Sequence, residues 1–201
     1  SKVLHNRVYH RGYFRNQVTY DTIHVGNRKA KYLYTIEMNQ GYRLGTIQFP
    51  NGDNHLSATI RQSAENTLLQ TGMNYSLETI IEERKRIDQY LKEHGYMYFN
   101  PEFIYVEADS VSEDFVLNLS LKVKPNIPPE SRTSYFVDKI YSFDDYALVD
   151  YAPDTTNLDP YYYLSMKNDL QPKVIRRGIH LAPGERYSQS QQSRTRRYLN
   201  R

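Results

Sequence analysis

The sequence predicts an α+β protein made of tandem β-α-α-β-β modules, each a three-stranded mixed sheet with two helices on one face. Two observations predict this class: a motif set that recurs at three places, and hydrophobic spacing that switches between strand and helix periods in a fixed order. Gly72, Met73, Asn74, Tyr75 and Ser76 return 112 residues later as Gly184, Glu185, Arg186, Tyr187 and Ser188. In that register Arg84, Lys85 and Ile87 return as Arg196, Arg197 and Leu199. At an offset of 83, Leu4, Val8, Gly12 and Tyr13 return as Ile87, Leu91, Gly95 and Tyr96. At an offset of 93, Tyr42, Leu44 and Ile47 return as Tyr135, Val137 and Ile140. The offsets of 112 and 93 differ by 19, so the third copy carries an insertion of about that size between its first strand and its Gly-x-x-Tyr-Ser turn. The Tyr- and Asp-rich segment around Tyr151 to Tyr163 is where it falls.

The first copy, residues 1–40, holds the back half of a module: a helix to Arg11, a strand over Val18 to Val25, and a strand in which Tyr32, Tyr34, Ile36 and Met38 alternate. Residues 41–125 form a complete module. Tyr42 to Phe49 reads as its first strand, stopped by Pro50, Asn51, Gly52 and Asp53. Leu56, Ile60, Ala64 and Leu68 recur at helical spacing, with Gly72 placed to end that helix and Ser76 to cap the next. Leu77, Ile80, Ile87 and Leu91 give helix two its apolar stripe, with Glu78, Glu82, Glu83 and Lys92 expected on the outer faces. Gly95 closes it. A strand over Met97 to Val106, a turn over Asp109 to Asp114, and an alternating strand with Phe115, Leu117, Leu119, Leu121 and Val123 complete the hairpin. Residues 126–201 hold the front half of a further module, with the insertion. The short Asn39, Gln40, Gly41 junction leaves little freedom, while Lys124 to Ser134, with Pro125, Pro128 and Pro129, reads as extended and semi-rigid. Because the two incomplete copies are complementary halves, a domain-swapped dimer of the chain is also expected as a structural possibility.

Composition narrows the function. Hydrophobic residues make up 39% and mean hydropathy is −0.76, too little for the continuous apolar strands of a large parallel sheet. No window approaches the roughly 20 apolar residues of a membrane-spanning helix, and the start of the chain has no signal-like apolar segment. Net charge is +3, with charges interspersed except for Arg194, Arg196, Arg197 and Arg201. The 20 Tyr suit half-buried strands and polypeptide contact surfaces alike. There is no Cys, and the six His, at positions 5, 10, 24, 55, 94 and 180, lack the spacing of a helical metal site. The carboxylate groupings Glu82 and Glu83, Asp144 and Asp145, and Glu107 and Asp109 are the ones a hydrolase would need, but neighbours on a helix or turn point apart rather than converging on a pocket, and they read as solvated charge. No nucleophile elbow, phosphate loop or dinucleotide fingerprint occurs, and Gly41 to Gly45 lies in a strand. The expectation is a non-enzyme without metal or cofactor.

The β-α-α-β-β order, the Gly-x-x-Tyr-Ser turn before helix two, the Gly-Tyr after it and the tandem arrangement resemble POTRA domains of the Omp85 superfamily, in particular of BamA- and TamA-like outer-membrane proteins. The resemblance implies a periplasmic array, covalently joined to a β-barrel, that binds unfolded or partly folded outer-membrane polypeptides and accessory outer-membrane lipoproteins. It also implies binding by strand addition to an open sheet edge. Here that edge is Pro101 to Ala108, centred on Phe103, Ile104, Tyr105 and Val106, with Pro101, Glu102 and Glu107 also readable as guards against nonspecific pairing. No nucleic-acid partner is expected. Two alternatives stay open: a structural spacer or docking array without client binding, and an RNA-binding module using the C-terminal arginines and exposed tyrosines.

Overall fold

The computed structural model describes residues 2–24, 29–111, 114–143, 154–157, 161–165 and 171–200. Val25, Asp144, Asp145, Tyr151 and Arg201, named above, lie outside them. The chain forms two compact units, Ser1–Ile87 with Pro101–Pro125, and Asp88–Asn100 with Asn126–Arg201.

In the first unit, helix α1 (Lys2–Tyr9) leads into an antiparallel ribbon of β1 (Gln17–His24) and β2 (Ala30–Glu37). Next come β3 (Arg43–Gln48), α2 (His55–Gln62), a 3-10 turn (Ser63–Asn66), the start of α3 (Leu77–Glu93), a 3-10 turn (Pro101–Phe103), β4 (Ile104–Val111) and β5 (Val116–Val123). The sheet order is β3-β5-β4, with β3 parallel and β4 antiparallel to β5. The parallel pair is possible because two helices separate its strands and carry the chain across the sheet. Leu44, Ile104, Leu117, Leu119 and Leu121 of the strands and Leu56, Ile60, Ile80 and Ile87 of the helices are buried and form the core. This is the mixed sheet with flanking helices that the periodicity predicts.

Helix one is shorter than its apolar spacing implies. Asn54 caps α2, its side chain accepting from the Ser57 N–H at 2.8 Å, but the helix stops at Gln62 and tightens into the 3-10 turn. Leu68, expected inside, is 41% exposed, and Leu69 is buried instead. The cause is Glu83, which is not on an outer face. Its carboxylate is fully buried and accepts from Thr67 Oγ1 at 2.8 Å, the Leu68 N–H at 2.9 Å and the Arg86 guanidinium at 2.7 and 2.8 Å. Anchoring residues 67 and 68 this way leaves no room for a helix to continue through them. Burial pushes the Glu83 pKa up, but Arg86 and the Leu68 and Thr67 donors outweigh it and hold the carboxyl below its usual range. Gly72 does not end helix one either. It adopts φ 87° in a turn bonded to β3, with Gly72 N–H donating to Leu44 O at 2.7 Å and Leu44 N–H to Met73 O at 2.8 Å.

The residues that reveal the repeat meet in a hydrogen-bond relay. Tyr42 N–H donates to Gly12 O at 3.0 Å, and Tyr75 N–H donates to Tyr42 O at 2.9 Å. Phe14 packs among Tyr9, Tyr42 and Tyr75, with centroids 4.7, 5.0 and 5.2 Å away. The second unit contains the same relay: Tyr135 N–H donates to Gly95 O and Tyr187 N–H to Tyr135 O, each at 2.9 Å. Gly12 and Gly95 both need left-handed backbone, at φ 90° and 96°.

The second unit begins with the last turns of α3 and continues through a 3-10 turn (Pro129–Arg132) to β6 (Ile140–Phe143), β7 (Asp154–Asn157), β8 (Tyr161–Ser165), α4 (Pro172–Gly178) and α5 (Gln189–Leu199). The proline-rich segment is thus not extended throughout. Ile127 and Ser131 are buried, and Ser131 Oγ donates to Tyr98 O at 2.9 Å, so local turns replace the expected straight spacer. The sheet order is β6-β8-β7, with β6 parallel and β7 antiparallel to β8. Strands β7 and β8 come from the segment in which the repeat offsets predict an insertion.

Candidate polypeptide-binding edge

In the first unit's sheet β4 lies at one border, paired with β5 along one side over Ile104 to Val111. Its start is fixed from α3: Arg84 Nε donates to Pro101 O at 3.0 Å, and its guanidinium pairs with Glu102 at 3.0 Å. The pairing then alternates. Lys124 N–H donates to Phe103 O at 2.8 Å, which sets the odd-numbered residues of β4 to bond with β5. Ile104, Val106, Ala108 and Ser110 therefore turn their N–H and C=O groups to the open side.

Of the four residues singled out in the sequence, only Ile104 and Val106 present backbone at this border. Phe103 belongs to the 3-10 turn rather than to the strand, and its carbonyl is taken by Lys124. Tyr105 bonds toward β5. The strand also begins and ends later than expected, so Asp109 and Ser110 lie in it and not in the turn. Ala108 and Ser110 extend the open border. Their signal was the even-position run Ile104, Val106, Ala108, Ser110, which lies opposite Leu117 to Val123 and which small side chains made faint.

Side-chain chemistry along the border is sparse. The Ile104 side chain is 1% exposed and anchors the strand to the core. On the outer face Glu107 pairs with Lys122 at 2.5 Å, and the bond from Lys122 raises the ammonium's pKa. The two acids read as guards, Glu102 and Glu107, are thus each engaged by a base. Among the described residues no group of three or more His, Cys, Asp or Glu is placed to hold a metal ion. No helix there is long and apolar enough to cross a membrane. Arg194, Arg196 and Arg197 are exposed on α5.

Fold and border together define a class: tandem small α+β modules sharing a Gly-Tyr-Tyr relay, with β4 at the border of the first unit's sheet. No protein-family model matches the chain, and no curated protein matches it. Among solved structures it is similar to POTRA domains 3–5 of BamA from Haemophilus influenzae, with 13% identity, a TM-score of 0.51, and coverage of 99% of this chain and 66% of that one. It is also similar to BamA from Haemophilus ducreyi lacking POTRA domains 1–3, with 15% identity, a TM-score of 0.42, and coverage of 61% and 22%. A third similarity is to POTRA domains 1–3 of Omp85 from Anabaena, with 17% identity, a TM-score of 0.31, and coverage of 99% and 69%. The chain resembles tandem POTRA domains in fold, at low sequence identity. It spans 66% of the length of the first of these structures and 22% of the second.

Proposed function

We propose that this chain is part of the periplasmic polypeptide-binding region of an outer-membrane assembly or translocation protein, without catalysis of its own, and that it receives extended client segments by strand addition along β4. The observation that carries this reading is the run of outward backbone at Ile104, Val106, Ala108 and Ser110 on a border strand. An added strand satisfies such groups whatever its sequence, which suits a receiver of many different chains. The paired charges at Glu102 and Glu107 limit indiscriminate pairing without burying the edge.

The test is a proton-nitrogen NMR titration of the whole chain with a synthetic peptide of about ten alternating apolar and polar residues, the length of an outer-membrane strand. Shifts concentrated on Ile104 to Ser110 support the reading; a folded chain with no shifts there at any peptide concentration contradicts it. A second reading, a spacer that docks accessory lipoproteins, is favoured by the relay seen in both units, which restricts backbone freedom where the repeats join. Absence of peptide shifts together with retained relay protection in hydrogen exchange would put that reading first.

A further inference from the structure

The border strand β4 carries different chemistry on its two faces. On the face that holds the core, Val106, Ala108 and Ser110 lie opposite Leu121, Leu119 and Leu117, all three buried. Ala108 and Ser110 are small and are themselves exposed, so the apolar layer stops short of the border. On the other face stand Tyr105, Glu107 and Asp109, as strand alternation requires. The two acids differ in their neighbours. Lys122 of β5 reaches Glu107. Asp109 lies opposite Asn118, whose Oδ1 is committed to β3, where it accepts from the Thr46 N–H at 2.8 Å and the Thr46 hydroxyl at 2.9 Å. Gly45 makes room for that arrangement, since a Cβ there would collide with Asn118 Oδ1. Asp109 is exposed, and no base among the described residues pairs with it.

Resting on the reading that β4 receives extended polypeptide, we propose that Asp109 selects among clients. The edge takes segments in which a Lys or Arg, set opposite Asp109, is flanked by large apolar residues set opposite Ala108 and Ser110. A strand added along β4 carries its side chains to the same two faces in alternation, and residues opposite one another share a face. On the core face its apolar residues continue the layer of Leu117 and Leu119 over ground that Ala108 and Ser110 leave vacant. On the other face the residue between them meets a carboxylate that no base has claimed. A base opposite Glu107 gains less, because Lys122 already holds that carboxylate and repels a second cation. The order apolar, base, apolar reads the same in both chain directions, so the selection applies to parallel and antiparallel addition alike. A cross-strand ion pair of this kind changes affinity by up to about fivefold and a like-charge pair costs a similar factor, so exchanging base for acid at this one position is worth about tenfold.

The test titrates the full chain with three synthetic peptides of about ten alternating apolar and polar residues. They are identical except at the central polar position, which is Lys, Gln or Glu, the remaining polar positions being Ser or Thr. NMR shifts on Ile104 to Ser110 give the affinity of each. The Lys peptide is expected to bind about tenfold more tightly than the Glu peptide, with Gln between them, and raised salt should narrow the gap. Asp109→Asn should level the three affinities, and Asp109→Lys should reverse their order. Equal affinities in the wild type, or a preference for Lys that survives in Asp109→Asn, overturns the proposal. The failures are distinguishable: three peptides that bind equally well at Ile104 to Ser110 leave strand addition at β4 standing and this inference fallen, whereas three that produce no shifts there bring down both.

Discussion

The carboxylate of Glu93, at the end of α3, accepts a hydrogen bond from Ser188 Oγ at 2.6 Å, although 95 positions separate them. The same carboxylate accepts from the Ser190 N–H and hydroxyl, each at 2.8 Å, while Ser188 Oγ accepts from the Gln191 N–H at 3.3 Å as the cap of α5. An acid from the preceding helix thus closes the first turn of the next repeat's helix, where the helix dipole favours negative charge. At the first junction the repeat offsets place His10, Ser76 and Glu78 in the corresponding positions, so the acid stands on the other partner.

Acid should loosen the second unit through this residue. Burial raises the Glu93 pKa, but the bonds from Ser188 and Ser190 and the neighbouring His94 outweigh it, leaving the folded value below the ordinary 4.5. The stabilisation is therefore complete above about 4.5 and is lost as pH falls through the folded value. Because Glu93 stays exposed to solvent, its share is on the order of 1 kcal/mol or less. Thermal melting of the wild type and Glu93→Gln should differ at pH 7 and converge below pH 4; a gap that persists at low pH assigns the loss to something other than the charge.

Glu83 is the more costly position. Glu83→Ala strands the Arg86 guanidinium and the Leu68 N–H in a site the carboxylate fills, and such breaks of a buried pair cost about 3–5 kcal/mol. Urea unfolding followed by circular dichroism should show a large drop in midpoint. Glu82→Ala, one position along the helix and exposed, should change little.

Two glycines in left-handed backbone separate conformational strain from crowding. A Cβ on Gly72 meets nothing within 4 Å, so Gly72→Ala pays only the backbone term, about 1 kcal/mol. A Cβ on Gly95 comes within 3.1 Å of Tyr135 O and of Ser134 Cβ, inside the relay. Gly95→Ala should lower the melting temperature clearly more than Gly72→Ala, and amide exchange at Tyr135 and Tyr187 should quicken in Gly95→Ala alone.

Module order and the buried face of the sheet were legible because core residues such as Leu44, Leu117, Leu119 and Leu121 must recur at the strand period wherever one face is buried. Gly95 was legible at the end of α3 for a similar reason, since few residues tolerate its φ of 96°. Glu83 was missed because helical spacing gives a residue's face, while its burial was decided by the backbone of Thr67 and Leu68, 15 or so positions away in sequence. Leu68 was misplaced by the same interaction. Repeat arithmetic pointed to the segment that holds β8, but the pairing of β8 with β6 was hidden, because a run such as Tyr161, Tyr162, Tyr163 does not say which strand it joins. At β4, side chains outlined the strand, but which amides face outward depends on register with β5, which no spacing in β4 alone encodes.

The most direct test of strand addition at β4 is residue-resolved hydrogen exchange of the full chain, free and saturated with the alternating peptide. In the free chain the amides of Tyr105, Glu107 and Asp109 should be protected by β5, and those of Ile104, Val106, Ala108 and Ser110 should exchange freely. Peptide should slow the second set while leaving the first nearly unchanged. Even-numbered amides that exchange as fast with saturating peptide as without it would contradict the account.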